Sequence, residues 1–165
     1  MNEIRGQALC IINPAAGRKG QGETTWISLQ PIISRYYNVS VLFTKKHHDN
    51  KASMKEIMAG MDIIVCVGGD GTLNEVAAAV MQSGFSIPIL YVPAGTANDF
   101  AYTIRASRDL ETINELLSDG IIIPHIVGFV FFPVNENGTA GVSYLCENPF
   151  FSCYIIKYRS AVSES

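Results

Sequence analysis

Residues 63–76 read Ile63-Ile64-Val65-Cys66-Val67-Gly68-Gly69-Asp70-Gly71-Thr72-Leu73-Asn74-Glu75-Val76, and the fold class follows from them. The opening apolar run has no polar alternation, so it reads as a strand buried on both faces of a parallel sheet. A glycine turn follows it directly. Leu73, Val76, Ala77 and Val80 then recur at i, i+3, i+4 and i+7, the period of a helix. Thr72 and Glu75 have the Thr-x-x-Glu spacing of a capping box at its start.

The same alternation extends in both directions. Ala8 to Ile12 is a second buried strand, ending at Asn13-Pro14, and the glycine-rich loop Ala16 to Gly22 follows it. Trp26, Leu29, Ile33 and Tyr36 mark a helical stretch that Pro31 interrupts, which predicts a kink or a late start. Val39 to Phe43 reads as a strand, Thr44 to Asn50 as a polar loop and Lys51 to Met58 as a short helix. Downstream, Ile87 to Val92 is a strand, Pro93-Ala94-Gly95-Thr96 a turn, and Asp109 to Leu117 a helix that Asp119-Gly120 ends. Strand and helix alternate in this way up to about residue 118, which predicts a three-layer α/β/α domain with a mainly parallel sheet.

The pattern changes near Ile121. Beyond it come only short β-like runs separated by turn residues, with Asn137-Gly138 as a hairpin signal. The chain therefore divides into an α/β domain over 1–120 and a β-rich tail over 121–165. The tail reads either as the incomplete start of a second β domain or as strands added to the main sheet.

Composition narrows the function. The 165 residues carry 12 Lys+Arg against 15 Asp+Glu, a net charge of −3 without the basic face of a nucleic-acid binder. Charged residues make up only 16%, against about 25% in ordinary soluble proteins, and mean hydropathy is +0.20. Either a parallel sheet buries much of the chain or some apolar surface meets a partner or a lipid. The four cysteines, Cys10, Cys66, Cys146 and Cys153, form no C-x-x-C pair, so a reducing, cytoplasmic compartment and no zinc site are expected. Met1 to Gly6 lacks a signal-peptide core, and no apolar stretch reaches the ~18 residues of a spanning helix.

Three glycine turns, Asn13 to Gly17, Gly68 to Thr72 and Pro93 to Asp99, fall at the carboxyl ends of expected strands. Ligands of open α/β sheets bind at that edge. Glycines there let backbone N–H groups approach a ligand, and a following helix N-terminus favours an anion, so three converging loops suit a polyphosphate. The first loop has neither P-loop nor G-x-G-x-x-G spacing. Asp70, a carboxylate between glycines, is unnecessary for a turn and points to a metal or polar ligand. Asn98 and Asp99 read equally as helix-start residues or as part of a site.

Gly68-Gly69-Asp70-Gly71-Thr72-Leu73-Asn74-Glu75-Val76 resembles the nucleotide-binding signature of the diacylglycerol kinase catalytic domain, a family that includes sphingosine and ceramide kinases and related bacterial lipid kinases. Asn13-Pro14-x-Ala16-Gly17 is similar to the family's N-terminal turn. Pro93-Ala94-Gly95-Thr96-Ala97-Asn98-Asp99-Phe100-Ala101 is similar to its P-x-G-T-x-N-D-F-A segment. The G-G-D-G-T string is shared with NAD kinases and phosphofructokinases; the three motifs in order are far more specific.

The resemblance implies ATP as donor, Mg2+ as its counter-ion, and a lipid hydroxyl, diacylglycerol-like or sphingoid, as acceptor. It implies a role in phospholipid metabolism, at the inner face of a membrane. By position it assigns Asn13, Gly17, Thr44, Gly69, Gly71, Thr72, Asn74, Glu75, Gly95 and Thr96 to the nucleotide, and Asp70 and Asp99 to catalysis. No residue is assigned as a dedicated metal ligand. A non-catalytic or truncated nucleotide-binding fragment and an NAD kinase are the alternatives.

Relatives resemble a two-domain protein of about twice this length, in which a β-sandwich supplies further catalytic groups. Where the family has an acid two residues before a glycine, this chain reads His125-Ile126-Val127-Gly128, and Tyr144-Leu145-Cys146-Glu147 matches the family's next strand poorly. His47-His48-Asp49 reads as a solvated loop and His125 as a strand-end residue. Phe129, Phe131, Phe132, Phe150, Phe151 and Tyr154 read as β core, or as a surface for a lipid or a homodimer partner.

Overall fold

The computed structural model describes residues 4–44, 51–118, 124–127, 130–131, 142–143 and 153–156. The elements are β1 (Gly6–Ile12), α1 (Gln21–Ile33), β2 (Tyr37–Phe43), α2 (Lys51–Met58), β3 (Ile63–Gly68), α3 (Asp70–Ser83), β4 (Ile89–Pro93), α4 (Asp99–Ile104), α5 (Leu110–Ser118), β5 (Pro124–Val127), β6 (Val130–Phe131), β7 (Val142–Ser143) and β8 (Cys153–Ile156). Alternation of strand and helix places β1 to β4 in one parallel sheet, in the order β2-β1-β3-β4. The three-layer α/β class read from the sequence is the observed one.

Side chains of successive strand residues point to opposite faces, and this splits the core in two. Ala8, Cys10, Ile12, Ile63, Val65, Val67, Leu90 and Val92 pack against α1 and α5, through Trp26, Leu29, Ile33, Ile113 and Leu117. Leu9, Ile11, Ile64, Cys66, Ile89 and Tyr91 pack on the other face against α2, α3 and α4, through Met58, Leu73, Val76, Val80, Phe100 and Ile104. Burial on both faces is why the strand runs are continuously apolar. A fully buried Ile or Leu is worth roughly 1.5–3 kcal/mol, so the two layers account for most of the force holding the sheet.

Pro31 lies inside the last turn of α1, which ends at Ile33 and leaves Tyr36 beyond it. There the missing N–H removes one bond from a helix already finishing. The capping-box reading is corrected: α3 begins at Asp70 with Gly69 as N-cap and no side-chain cap. The two glycines turn the chain without a hydroxyl, and Thr72 is engaged elsewhere. At α5 the cap is Asp109, whose carboxylate accepts the Thr112 amide and hydroxyl, both at 2.8 Å. Those bonds hold the carboxyl below its ordinary range.

Two later strands extend the sheet. β8 runs parallel beside β4, and β5 pairs antiparallel with β8; β6 and β7 form a separate two-stranded ribbon. The Asn137-Gly138 hairpin, the His47-His48-Asp49 loop, the Tyr144 to Glu147 segment and Phe129, Phe132, Phe150 and Phe151 lie outside the described residues.

Candidate nucleotide site

The site follows from the strand order. From β1 the chain moves outward to β2, then returns to place β3 on the other side of β1. The crevice between β1 and β3 is thus a topological switch point, where open α/β sheets leave room for a ligand. The Asn13 N–H donates to the Val67 carbonyl at 2.9 Å, bringing the ends of β1 and β3 together.

Each loop is tied to another by a named contact. Asn13 Nδ2 donates to Thr72 Oγ1 at 3.0 Å, joining the first and second loops, while Asn13 Oδ1 accepts the Ala15 amide at 3.1 Å and shapes its own turn. The Ala94 N–H donates to the Gly68 carbonyl at 2.7 Å, joining the second and third. Gly17, at φ +73°, passes so close to the Ala94 carbonyl that a Cβ would overlap it, which joins the first and third. A Cβ on Gly95 would lie 2.6 Å from Gly69 Cα. These glycines are needed for loop to meet loop.

Gly71 differs. It is exposed in the first turn of α3, and a Cβ there meets nothing within 4 Å. The first bond into that helix is Leu73 N–H to the Gly69 carbonyl at 3.0 Å. The N–H groups ahead of it belong to the open first turn of a helix, which attracts anions.

Asp70 does not hang free in a loop. Its Oδ2 accepts the Asp99 N–H at 2.8 Å, and its Oδ1 lies 3.3 Å from the Tyr91 hydroxyl. Asn98 is left-handed at φ 55° and brackets the third loop: its Oδ1 accepts the Gly95 N–H at 2.9 Å and its Nδ2 donates to the Gly95 carbonyl at 2.7 Å.

The structure therefore brings Asn13, Gly17, Gly69, Asp70, Thr72, Gly95 and Asp99 into one set of contacts. Thr44 stands at the same edge, its N–H donating to the Ile12 carbonyl at 2.8 Å. Thr96 is exposed in the third loop. Asn74 is half-buried and Glu75 exposed, both within α3. Sequence reasoning left Asn98 undecided and missed Tyr91. Tyr91 looked like one more member of a buried strand, and the available signal was its polar tip close to a glycine turn.

Among the described residues no group of three or more His, Cys, Asp or Glu side chains stands ready to hold a metal. Magnesium ordinarily needs only one or two carboxylates when phosphates supply the rest. Open space at Gly71, the first turn of α3 and the exposed Asp99 carboxylate fit a magnesium–nucleotide better than a bare ion.

The fold and the position of the loops define an open parallel α/β domain with its ligand edge at a switch point. Residues 7–130 match the diacylglycerol kinase catalytic domain, and the chain belongs to that family. It is 35% identical over 109 residues to sphingoid long-chain bases kinase 1 of Arabidopsis thaliana, covering 61% of this chain and 14% of that one. It is 26% identical over 118 residues to a diacylglycerol kinase of Staphylococcus aureus (strain MRSA252), covering 71% and 38%. A crystal structure of a diacylglycerol kinase from Bacillus anthracis str. Sterne superposes with a TM-score of 0.59 at 26% identity, over 74% of this chain and 45% of that one. The chain spans less than half the length of these relatives.

Proposed function

We propose that this chain binds Mg-ATP and forms the nucleotide half of a kinase that transfers the γ-phosphate to a lipid hydroxyl, on a diacylglycerol-like or sphingoid acceptor. The observation that carries the reading is the contrast between glycines: those that join the loops are closed, whereas a Cβ on Gly71, exposed in the first turn of α3, would meet nothing within 4 Å. Residues 1–120 are the nucleotide-binding unit in this reading. Beyond it, β8 and β5 extend the same sheet.

Phosphoryl transfer relies on positioning and charge neutralisation. The open first turn of α3 receives phosphate oxygens on its N–H groups, with Gly71 leaving room for them. Asn13 and Thr72 hold that turn against the first loop. Asp70 fixes the start of α4 by accepting the Asp99 amide, and the Asp99 carboxylate is exposed in the first turn of that helix. Asp99 and Asp70 are the carboxylates that would hold magnesium, which when bound with the nucleotide would neutralise charge on the phosphates. Among the described residues no helix is long and apolar enough to cross a membrane, and in this reading the lipid is met at the surface of a membrane facing the cytoplasm.

Calorimetric titration of the 165-residue chain with Mg-ATP and Mg-ADP tests the nucleotide part. Saturable binding that Gly71→Val removes supports it; heats indistinguishable from dilution overturn it. Incubation with γ-labelled ATP and vesicles carrying diacylglycerol or a sphingoid base tests the transfer.

A second reading is a nucleotide-binding module without phosphotransfer. It is favoured by His125-Ile126-Val127-Gly128, where an acid is expected from the family resemblance. Binding without labelled lipid product supports it over the first.

A further inference from the structure

The Tyr91 hydroxyl is placed unlike anything else in β4. The strand is buried throughout, and its other members, Ile89, Leu90, Val92 and Pro93, are apolar. Tyr91 is fully buried, its ring 6.5 Å from that of Phe100 on α4. Its oxygen reaches the floor of the site, 3.3 Å from Asp70 Oδ1 and 3.4 Å from Asn98 Oδ1. A phenol has one proton, so it serves one of these acceptors at a time. Both distances exceed the 2.7–2.8 Å or so of a full O–H···O bond, and the two acceptors lie at almost equal reach, one on each of two loops.

The two acceptors differ in what else they hold. Asn98 Oδ1 already takes the Gly95 N–H at 2.9 Å, whereas Asp70 Oδ1 has a formal charge to share, and Asp70 Oδ2 takes the Asp99 N–H at 2.8 Å. The chain Gly95–Asn98–Tyr91–Asp70–Asp99 therefore runs from the third loop, through the floor of the site, to the second loop and back. Among these residues the hydroxyl is the member contributed by the sheet.

We infer that Tyr91 is a positioning residue: its hydroxyl couples the Asp70 carboxylate to the Gly95–Asp99 loop, so that charge neutralisation at Asp70 is transmitted to the third loop. This rests on the Mg-ATP reading for its use, but the coupling is a property of the chain alone. When Asp70 faces a cation its demand for the phenol proton falls, and the proton passes to Asn98 Oδ1, the same oxygen that accepts the Gly95 N–H. Without the hydroxyl the two loops respond independently.

Tyr91→Phe keeps the ring against Phe100 and removes only the oxygen. Amide hydrogen exchange on the full chain without nucleotide is the first readout. Faster exchange at Gly95 and Asp99 by roughly three- to tenfold, with an unchanged thermal midpoint, is the expected result. It should not add to the effect of Asp70→Asn in a double-mutant cycle. Unchanged exchange at both amides overturns the inference, as does full additivity. A fall in thermal midpoint with exchange raised throughout β4 shows a packing role and overturns it as well. The second readout is Mg-ATP affinity, expected to fall by roughly three- to tenfold in Tyr91→Phe, with no further fall when Asp70→Asn is added. If wild type binds no Mg-ATP the nucleotide reading fails, and the exchange cycle alone decides the coupling.

Discussion

The Asn13 side-chain amide donates to the Thr72 hydroxyl across 3.0 Å and 59 positions of sequence, and both groups sit where a parallel strand has just ended. The other end of the same amide accepts the Ala15 N–H. Asn13→Ala removes both bonds and leaves the buried Thr72 hydroxyl without that donor. A loss of about 1–2 kcal/mol is expected in urea unfolding. Asn13→Asp keeps the Ala15 turn and can accept from Thr72, so it should lose less; equal losses would show that the two loops do not depend on this bond.

Two glycines only 24 positions apart should behave oppositely. Gly95→Ala drives a Cβ to within 2.6 Å of Gly69 Cα and 2.7 Å of Asn98 Oδ1, so backbone must move. Its expected cost is about 1–3 kcal/mol. Gly71→Val places its side chain in open space, and valine is no worse than glycine in a helix. Its thermal midpoint should stay near wild type while Mg-ATP affinity falls by roughly tenfold or more. Thermal melts beside calorimetry separate the two. A destabilised Gly71→Val protein would mean that the first turn of α3 is not open as described.

Asp70→Asn keeps an acceptor for the Asp99 N–H and removes the charge. Folding should be little affected, and the affinity for Mg-ATP should fall by roughly tenfold or more. Repeating the titration with ATP and EDTA is the control: if the charge serves magnesium, the difference between wild type and variant shrinks. A difference that persists without magnesium would place Asp70 in loop geometry alone.

Cys10 and Cys66 are buried, free thiols. Burial pushes Cys10 up from 9.0 to about 12; burial, and then the charge of Glu75, raise Cys66 as well. Below about pH 8 both thiols are protonated whether the chain is folded or not, so their contribution is fully present. From pH 9.0 toward about 12 the unfolded chain releases protons that the folded chain keeps. Stability should therefore fall with rising pH, by about 1.4 kcal/mol per pH unit for each thiol. Urea midpoints at pH 8 and pH 10, with Cys66→Ala as the flatter control, measure this. Alkylation mapped by mass spectrometry should spare both residues in the native chain at pH 8 and reach them in urea.

The α/β architecture was legible because its signals are local. Continuous apolar runs mark strands covered on both faces, and i, i+3, i+4 spacing marks the helices that cover them; both are read within a dozen neighbouring residues. The edge at which the three glycine turns meet could also be located, since each turn follows a strand end. Most strand limits moved by a residue or two, α1 ended three residues before Tyr36, α4 had no reading of its own, and the cap of α3 passed from Thr72 to Gly69. Asn13 was 59 residues away, and no local rule counts a competing donor at that distance.

Which candidate residues meet is decided by contacts between loops. In the sequence Gly17, Gly69, Gly71 and Gly95 are alike, four glycines in three turns. In the fold, Gly17, Gly69 and Gly95 pack against backbone and Gly71 faces open space. Tyr91 shows the same limit from the other side. Periodicity places it in the core, where its ring belongs, but the place of its hydroxyl depends on how α3 and α4 start above β4. Periodicity is a property of one segment, whereas a site is a property of several segments meeting, and that meeting is set by the packing of both helical layers on the sheet.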